Sequence, residues 1–177
     1  MPNYRRAFIP NGYWFFTVNL LDRCQRLLTD HIDILRSAFD ETRGSYPFEL
    51  AAIVVLPDHL HAVWSLPPDD ADFSVRWRLI KTRFAKSLPK QEYLSAVREK
   101  RGERGIWQRR FWEHLIRDDR DYARHIEYCY INPVKHGLVR RVQDWPYSSF
   151  HRDVGRGIFP LDWAGEVETK GGFGERP

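Results

Sequence analysis

The sequence predicts an α+β domain built on an antiparallel sheet. Apolar, β-branched runs of strand length alternate with helical periodicity in the order β-α-β-β-α-β. A Pro57-Asp58 turn separates two of those runs, as in a hairpin, and one more amphipathic helix follows the last run. This is the order of a ferredoxin-like (RRM-like) sheet with an added C-terminal helix. At 177 residues the chain is long enough for one compact core. We expect a single domain over 1–163. Gly171, Gly172 and Gly174 predict a flexible tail over 164–177.

Tyr13–Leu20 (YWFFTVNL) is aromatic and β-branched and reads as a buried strand. Thr29 or Asp30 can cap a helix to about Arg43, whose apolar stripe is Ile32, Leu35, Ala38 and Phe39, with Gly44 closing it. Phe48–Leu56 and His59–Leu66 are the hairpin strands. Pro67-Pro68-Asp69-Asp70 breaks the sheet before a helix over Ser74–Ser87, with Ser74 as cap and Trp77, Ile80 and Phe84 inward. Residues 88–105 are charged and weakly patterned, a loop or frayed helix. Phe111–Arg117 supplies a fourth strand. Asp118 or Asp119 caps a helix from about Arg120 to Ile131, which Asn132-Pro133 ends.

Composition excludes several classes. Seven Trp, eight Tyr and eleven Phe argue against disorder. No apolar run near the start is long enough for a bilayer, and no basic segment followed by an apolar one suggests a secretory signal. Cys24 and Cys129 make no disulfide framework, and the expectation is a cytoplasmic protein. Charge is uneven: residues 1–72 carry a net −4 and 73–177 a net +8. Between Arg76 and Arg110 stand 12 basic residues against 3 acidic ones, enough to attract a polyanion. Trp77, Phe84, Trp107, Phe111 and Trp112 lie among those charges and tilt the reading toward nucleic acid, on whose unpaired bases they could stack.

Two constellations carry chemistry. His59-Leu60-His61 places two imidazoles on one face of a strand, suited to one metal ion or one phosphate. The second is the helix at 120–131. There Tyr122, Ile126, Cys129 and Tyr130 share an apolar face, which makes Tyr130 a core residue. Asp121, Arg124, His125, Tyr128 and Asn132 gather opposite. Together the two sites suggest attack of the Tyr128 phenol on a phosphodiester, with a divalent cation (Mg²⁺ or Mn²⁺) held by His59, His61 and Asn132. Spacing alone does not fix the third ligand. Arg124 or His125 could balance phosphate charge. His114, His136 and His151 have no sequence partner at metal spacing and are expected to be structural.

At these residues the sequence resembles a known family. Pro57-Asp58-His59-Leu60-His61 is similar to the His-hydrophobe-His motif of single-tyrosine transposases. HIEYCYINPVKHGLV (125–139) is similar to the tyrosine block of the REP-associated tyrosine transposases of bacteria. The likeness extends through WFFTVNLLDR (14–23), RRFWEHLIRDDRDY (109–122) and DWPYSSFHRDVGRGIFPLDWAG (144–165).

The resemblance implies a single-strand DNA endonuclease and strand transferase, with Tyr128 as nucleophile and a 5′-phosphotyrosyl intermediate. It implies His59 and His61 as metal ligands and Asn132 as third, where the wider insertion-sequence transposases commonly have Gln. Its implied substrates are extragenic palindromes, folded as single-stranded hairpins beside a short recognition sequence. A monomer in the bacterial cytoplasm, associated with the nucleoid and with no membrane partner, is expected. Arg78, Lys81, Arg83, Arg109 and Arg110 are candidate DNA contacts, with Arg124 and His125. Tyr4, Arg5 and Arg6 could read the flanking sequence, because Arg pairs bidentately with guanine and Tyr stacks. The alternative is a catalytically idle single-strand DNA- or RNA-binding module on the same fold, using an open sheet with exposed aromatics. A replication initiator or relaxase is a third reading, disfavoured by His order and chain length.

Overall fold

Trp14, Phe16 and Val18 alternate with Phe15, Thr17 and Asn19 along the first strand, and this period of two assigns one set to each face of a sheet. A computed structural model describes residues 12–165 and 173–174. In it the strands are β1 (Tyr13–Asn19), β2 (Glu49–Val55), β3 (His59–Ser65) and β4 (Trp112–Leu115). They form one antiparallel sheet in the order β2-β3-β1-β4, the ferredoxin-like order.

Helices cover both faces. On one side α1 (Leu27–Asp30), α2 (Ile32–Ser45) and α3 (Phe73–Ser87) bury Trp14, Phe16, Leu60, Ala62 and Trp64. Trp64 stacks on Trp77 of α3 with ring centroids 4.4 Å apart. On the other side α5 (Asp119–Lys135) and α6 (Phe150–Gly155) enclose a second core around Phe15, Val54, Val63, Cys129, Tyr130 and Phe150. The short α4 (Ala96–Lys100) is the only helix within 88–105. Among the described residues no helix is long and apolar enough to cross a membrane.

Several boundaries differ from expectation for local reasons. Thr29 does not cap the first long helix; its hydroxyl donates to the Arg26 carbonyl inside α1, and α2 starts after His31. Gly44 lies within α2 rather than beyond it. Asp72, not Ser74, caps α3 by accepting from the Val75 N–H at 3.0 Å. The largest correction is in α5, which passes through Asn132 and Pro133 to Lys135. A proline inside a helix removes one backbone donor. Here only part of a turn follows it, and Gly137, at φ 67°, supplies the left-handed residue that ends the helix.

Candidate active site

Because His59 and His61 are two residues apart on β3, both leave the sheet on the face that α5 covers. Both are buried, and their ring centroids are 5.0 Å apart. The β1–β3 register sets their neighbours, pairing Thr17 with His61 and Asn19 with His59. Thr17 Oγ1 donates to the Phe173 carbonyl at 2.6 Å, so the hydroxyl accepts from His61 Nδ1, 2.8 Å away. His59 Nδ1 donates to Asp58 Oδ1 at 2.8 Å, and Arg23 pairs with the same carboxylate. Burial alone would raise the Asp58 carboxyl, but hydrogen bonds from His59 and Arg23 bring it down to about 2. With both Nδ1 atoms engaged as donors, Nε2 is the atom of each ring that could ligate a metal, the usual way a hydrogen-bonded imidazole meets one.

α5 brings the second half of the site. Asp118 caps it by accepting from the Asp121 N–H at 2.8 Å. Asp121, His125, Tyr128 and Asn132 then fall along the side facing the sheet, and all four are buried. The expected polar face is therefore an interior one, packed on β1 and β3. The Tyr128 ring lies 5.2 Å from His61, and His136, two turns on, lies 5.1 Å from His59. Asn132 stands one turn from each, so Tyr128, Asn132 and His136 run alongside the histidine pair. His136 thus has a close histidine neighbour that the sequence spacing did not reveal.

The two tyrosines of Tyr128-Cys129-Tyr130 are in opposite situations. Tyr130 donates to Asp153 Oδ2 at 2.5 Å and sits 3.2 Å from Ser149 Oγ. Burial first, then the Asp153 carboxylate, push its phenol well above the ordinary value. Tyr128 instead accepts at its hydroxyl from Lys135 Nζ, 2.9 Å away, with the ammonium 4.8 Å from its ring centroid. A positive charge there stabilises negative charge developing on the phenol oxygen.

A second cluster lies beside the first. His114, Asp121 and His125 offer ligand atoms within 4.8 Å of one another. His114 Nε2 donates to Asp121 Oδ2 at 2.8 Å, and His125 Nδ1 donates to the Asp121 carbonyl at 2.7 Å. The two imidazoles are stacked, 4.7 Å apart and 17° from parallel. A shared ion must lie near both ring planes, which stacked rings do not allow. The cluster is instead a hydrogen-bonded brace that fixes His125 under Phe15, 4.7 Å away. His114 is thus partnered, and His151 donates to the Trp145 carbonyl at 2.9 Å.

No family model matches the chain. Among curated proteins, a REP-associated tyrosine transposase of Escherichia coli is 51% identical over 176 residues, spanning 99% of this chain and 98% of that protein. A Haemophilus influenzae relative carrying the same family name is 53% identical over 171 residues, 96% and 97% of the two chains. The chain belongs to the REP-associated tyrosine transposases. A solved structure described as a REP-associated tyrosine transposase bound to a REP hairpin superposes with a TM-score of 0.86. It is 50% identical and covers 100% of this chain and 99% of its own.

For this transposase family member the structure also sorts the basic and aromatic candidates. Trp77, Phe84 and Trp107 are core residues, closed to stacking on bases, whereas Phe111 and Trp112 are only partly covered. Arg78 and Arg110 are exposed. Arg109, also exposed, pairs with Glu103 at 2.9 Å. Arg83 bonds Thr42 Oγ1 at 2.7 Å and pairs with Glu41. Lys81 donates to the Gln108 carbonyl at 2.6 Å, and burial lowers its ammonium to about 8. His125 is buried, and burial lowers its imidazole. Tyr4, Arg5 and Arg6 lie outside the described residues.

Sequence reasoning missed Lys135 and Phe173. Phe173 is 4% exposed and stacks on Tyr128, with centroids 3.6 Å apart and planes at 9°. Apart from Phe173 and Gly174, residues 166–177 lie outside the described residues, as does the expected flexibility there.

Proposed function

We propose that this transposase is a divalent-metal-dependent endonuclease and strand transferase acting on single-stranded REP-type hairpins, with Tyr128 as nucleophile. The observation that carries this reading is the position of the Tyr128 hydroxyl. It is held by Lys135, and its ring is against His61, beside a buried pair of histidines with Nε2 as ligand atoms. The hairpin substrate is carried from the solved relative, which is described as bound to a REP hairpin.

His59, His61 and Asn132 would hold the ion. Two imidazoles and an amide oxygen are an unusual set for Mn²⁺ or Mg²⁺, and phosphate oxygens and water would complete the hard-ligand shell. When bound, such an ion polarises the scissile phosphate. Thr17 and Asp58 orient the two imidazoles. The Tyr128 phenol gives up its proton as its oxygen forms the new O–P bond, the P–O3′ bond breaks, and the departing O3′ takes up one proton, so the step is proton-neutral. The 5′-phosphate is then on tyrosine, and Lys135 stabilises the phenolate when a 3′-hydroxyl attacks back and regenerates Tyr128.

The open-sheet binding module has less support. Phe15 and its neighbours on that face lie under α5, so among the described residues no bare sheet of aromatics is presented. The test is a cleavage assay on a labelled single-stranded hairpin drawn from palindromes near the gene. A covalent adduct is expected with Mn²⁺, none with EDTA, and none with Tyr128→Phe. Tight binding with no adduct under any condition supports the idle module instead.

A further inference from the structure

Phe173 occupies a slot with the dimensions and chemistry of a base-binding site. One face of its ring is stacked on Tyr128 at 3.6 Å; His125 and Phe15 meet it edge-on at 5.2 and 6.0 Å. The Arg124 guanidinium lies over the ring, 5.0 Å from its centroid. Thr17 donates to the Phe173 carbonyl, as it could to a carbonyl on a base edge. Next in the chain, Gly174 is pressed on Trp112, where a Cβ would come within 2.5 Å of the indole. The seat is therefore specific for this dipeptide and not a loose apolar contact. Hollows flank it on both sides. One, of about 340 Å³, is lined by Arg124, Glu127, Tyr128 and Trp163 and reaches Phe173. The other, of about 620 Å³, is lined by Asn19, Arg23, Arg110 and Trp112 and reaches Gly174.

We infer that this slot is a subsite for one unpaired nucleobase next to the scissile phosphate, and that Phe173 holds the place of that base. The inference rests on the reading of the chain as a single-strand nuclease. A flat π-system stacked on tyrosine with a guanidinium above it is the environment in which unpaired bases bind with little sequence preference, and the Thr17 hydroxyl, on the adjoining backbone carbonyl, adds a donor nearby. The arginines in both hollows would carry the backbone on each side.

The full chain carrying Tyr128→Phe keeps the stacking ring and makes no adduct, so binding can be measured alone. Its affinity is measured for the hairpin oligonucleotide with an abasic site walked through the single-stranded flanks, with and without Phe173→Ala. One flank position is expected at which loss of the base weakens binding about tenfold, the scale of one base–aromatic stack. At that position 2-aminopurine should be quenched on binding. Phe173→Ala should strengthen binding of the intact strand several-fold but not of the strand abasic at that position, and Phe173→Trp should not strengthen it. Equal effects of Phe173→Ala on both strands, or no sensitive position, overturn the subsite. If wild type still forms its adduct, the nuclease reading stands. Absence of any hairpin binding and any adduct removes both.

Discussion

At the scale of single residues, reactivity depends on what surrounds the Tyr128 oxygen. Lys135 Nζ donates to that oxygen, so Lys135→Ala should slow adduct formation by about 100- to 1000-fold, the range for loss of one electrostatic stabiliser. Lys135→Arg should recover part of the rate, and both variants should retain hairpin affinity within a few-fold. A uniform loss of binding and rate would make Lys135 a DNA contact instead. Tyr130→Phe should leave the adduct intact. Because Asp153 Oδ2 loses its donor while Oδ1 keeps Arg152, it should lower stability by about 1–2 kcal/mol, measured by urea unfolding. The faces that His59, His61 and Tyr128 occupy were legible, because strand and helix periods assign faces without tertiary information. Phe173 was not, since nothing local links it to a tyrosine 45 positions earlier.

At the scale of elements, α5 shows why Lys135 was also missed. Asn132-Pro133 is a sound stop signal, yet the helix continues two residues past it, with Asn132 and Pro133 both buried in its last turn. The strands, by contrast, matched expectation within about two residues at each end, because β-branched and aromatic runs bounded by turn residues leave few alternatives.

The 88–105 segment had no periodicity to read, and its order comes from an ion pair. Arg104 pairs with Glu92 and also donates to the Leu88 and Pro89 carbonyls. That hydrogen bond from Arg104 holds the Glu92 carboxyl at about 2, below its usual 4.5. A depressed carboxyl adds stability that is complete above its unfolded value and lost as pH falls through the folded one. Urea midpoints should therefore drop between pH 4.5 and about 2, and more steeply in wild type than in Glu92→Gln. Parallel profiles would show that the pair contributes nothing to stability.

At the scale of the molecule, the sheet is a wall between two cores, and the candidate site lies where α5 crosses its α1-free face. The charge asymmetry was visible in the sequence, but its use was not. Arg76, Arg83 and Arg104 spend their donors inside the protein, on backbone carbonyls, Thr42 and acidic partners. The surface available to a polyanion is smaller than the count of basic residues suggests. Phe173 on Tyr128 has a consequence at this scale as well. A chain ending at Gly165 should form the adduct faster than the full chain under the same Mn²⁺ concentration. An unchanged rate would mean that Phe173 does not compete with DNA.

The most direct test is to locate the covalent bond itself. The wild-type adduct on the hairpin oligonucleotide is digested with nuclease and protease, and the modified peptide is sequenced by mass spectrometry. The residual nucleotide is predicted on Tyr128, linked through a 5′-phosphate. A nucleotide on Tyr130, or a linkage through a 3′-phosphate, would contradict the site described here.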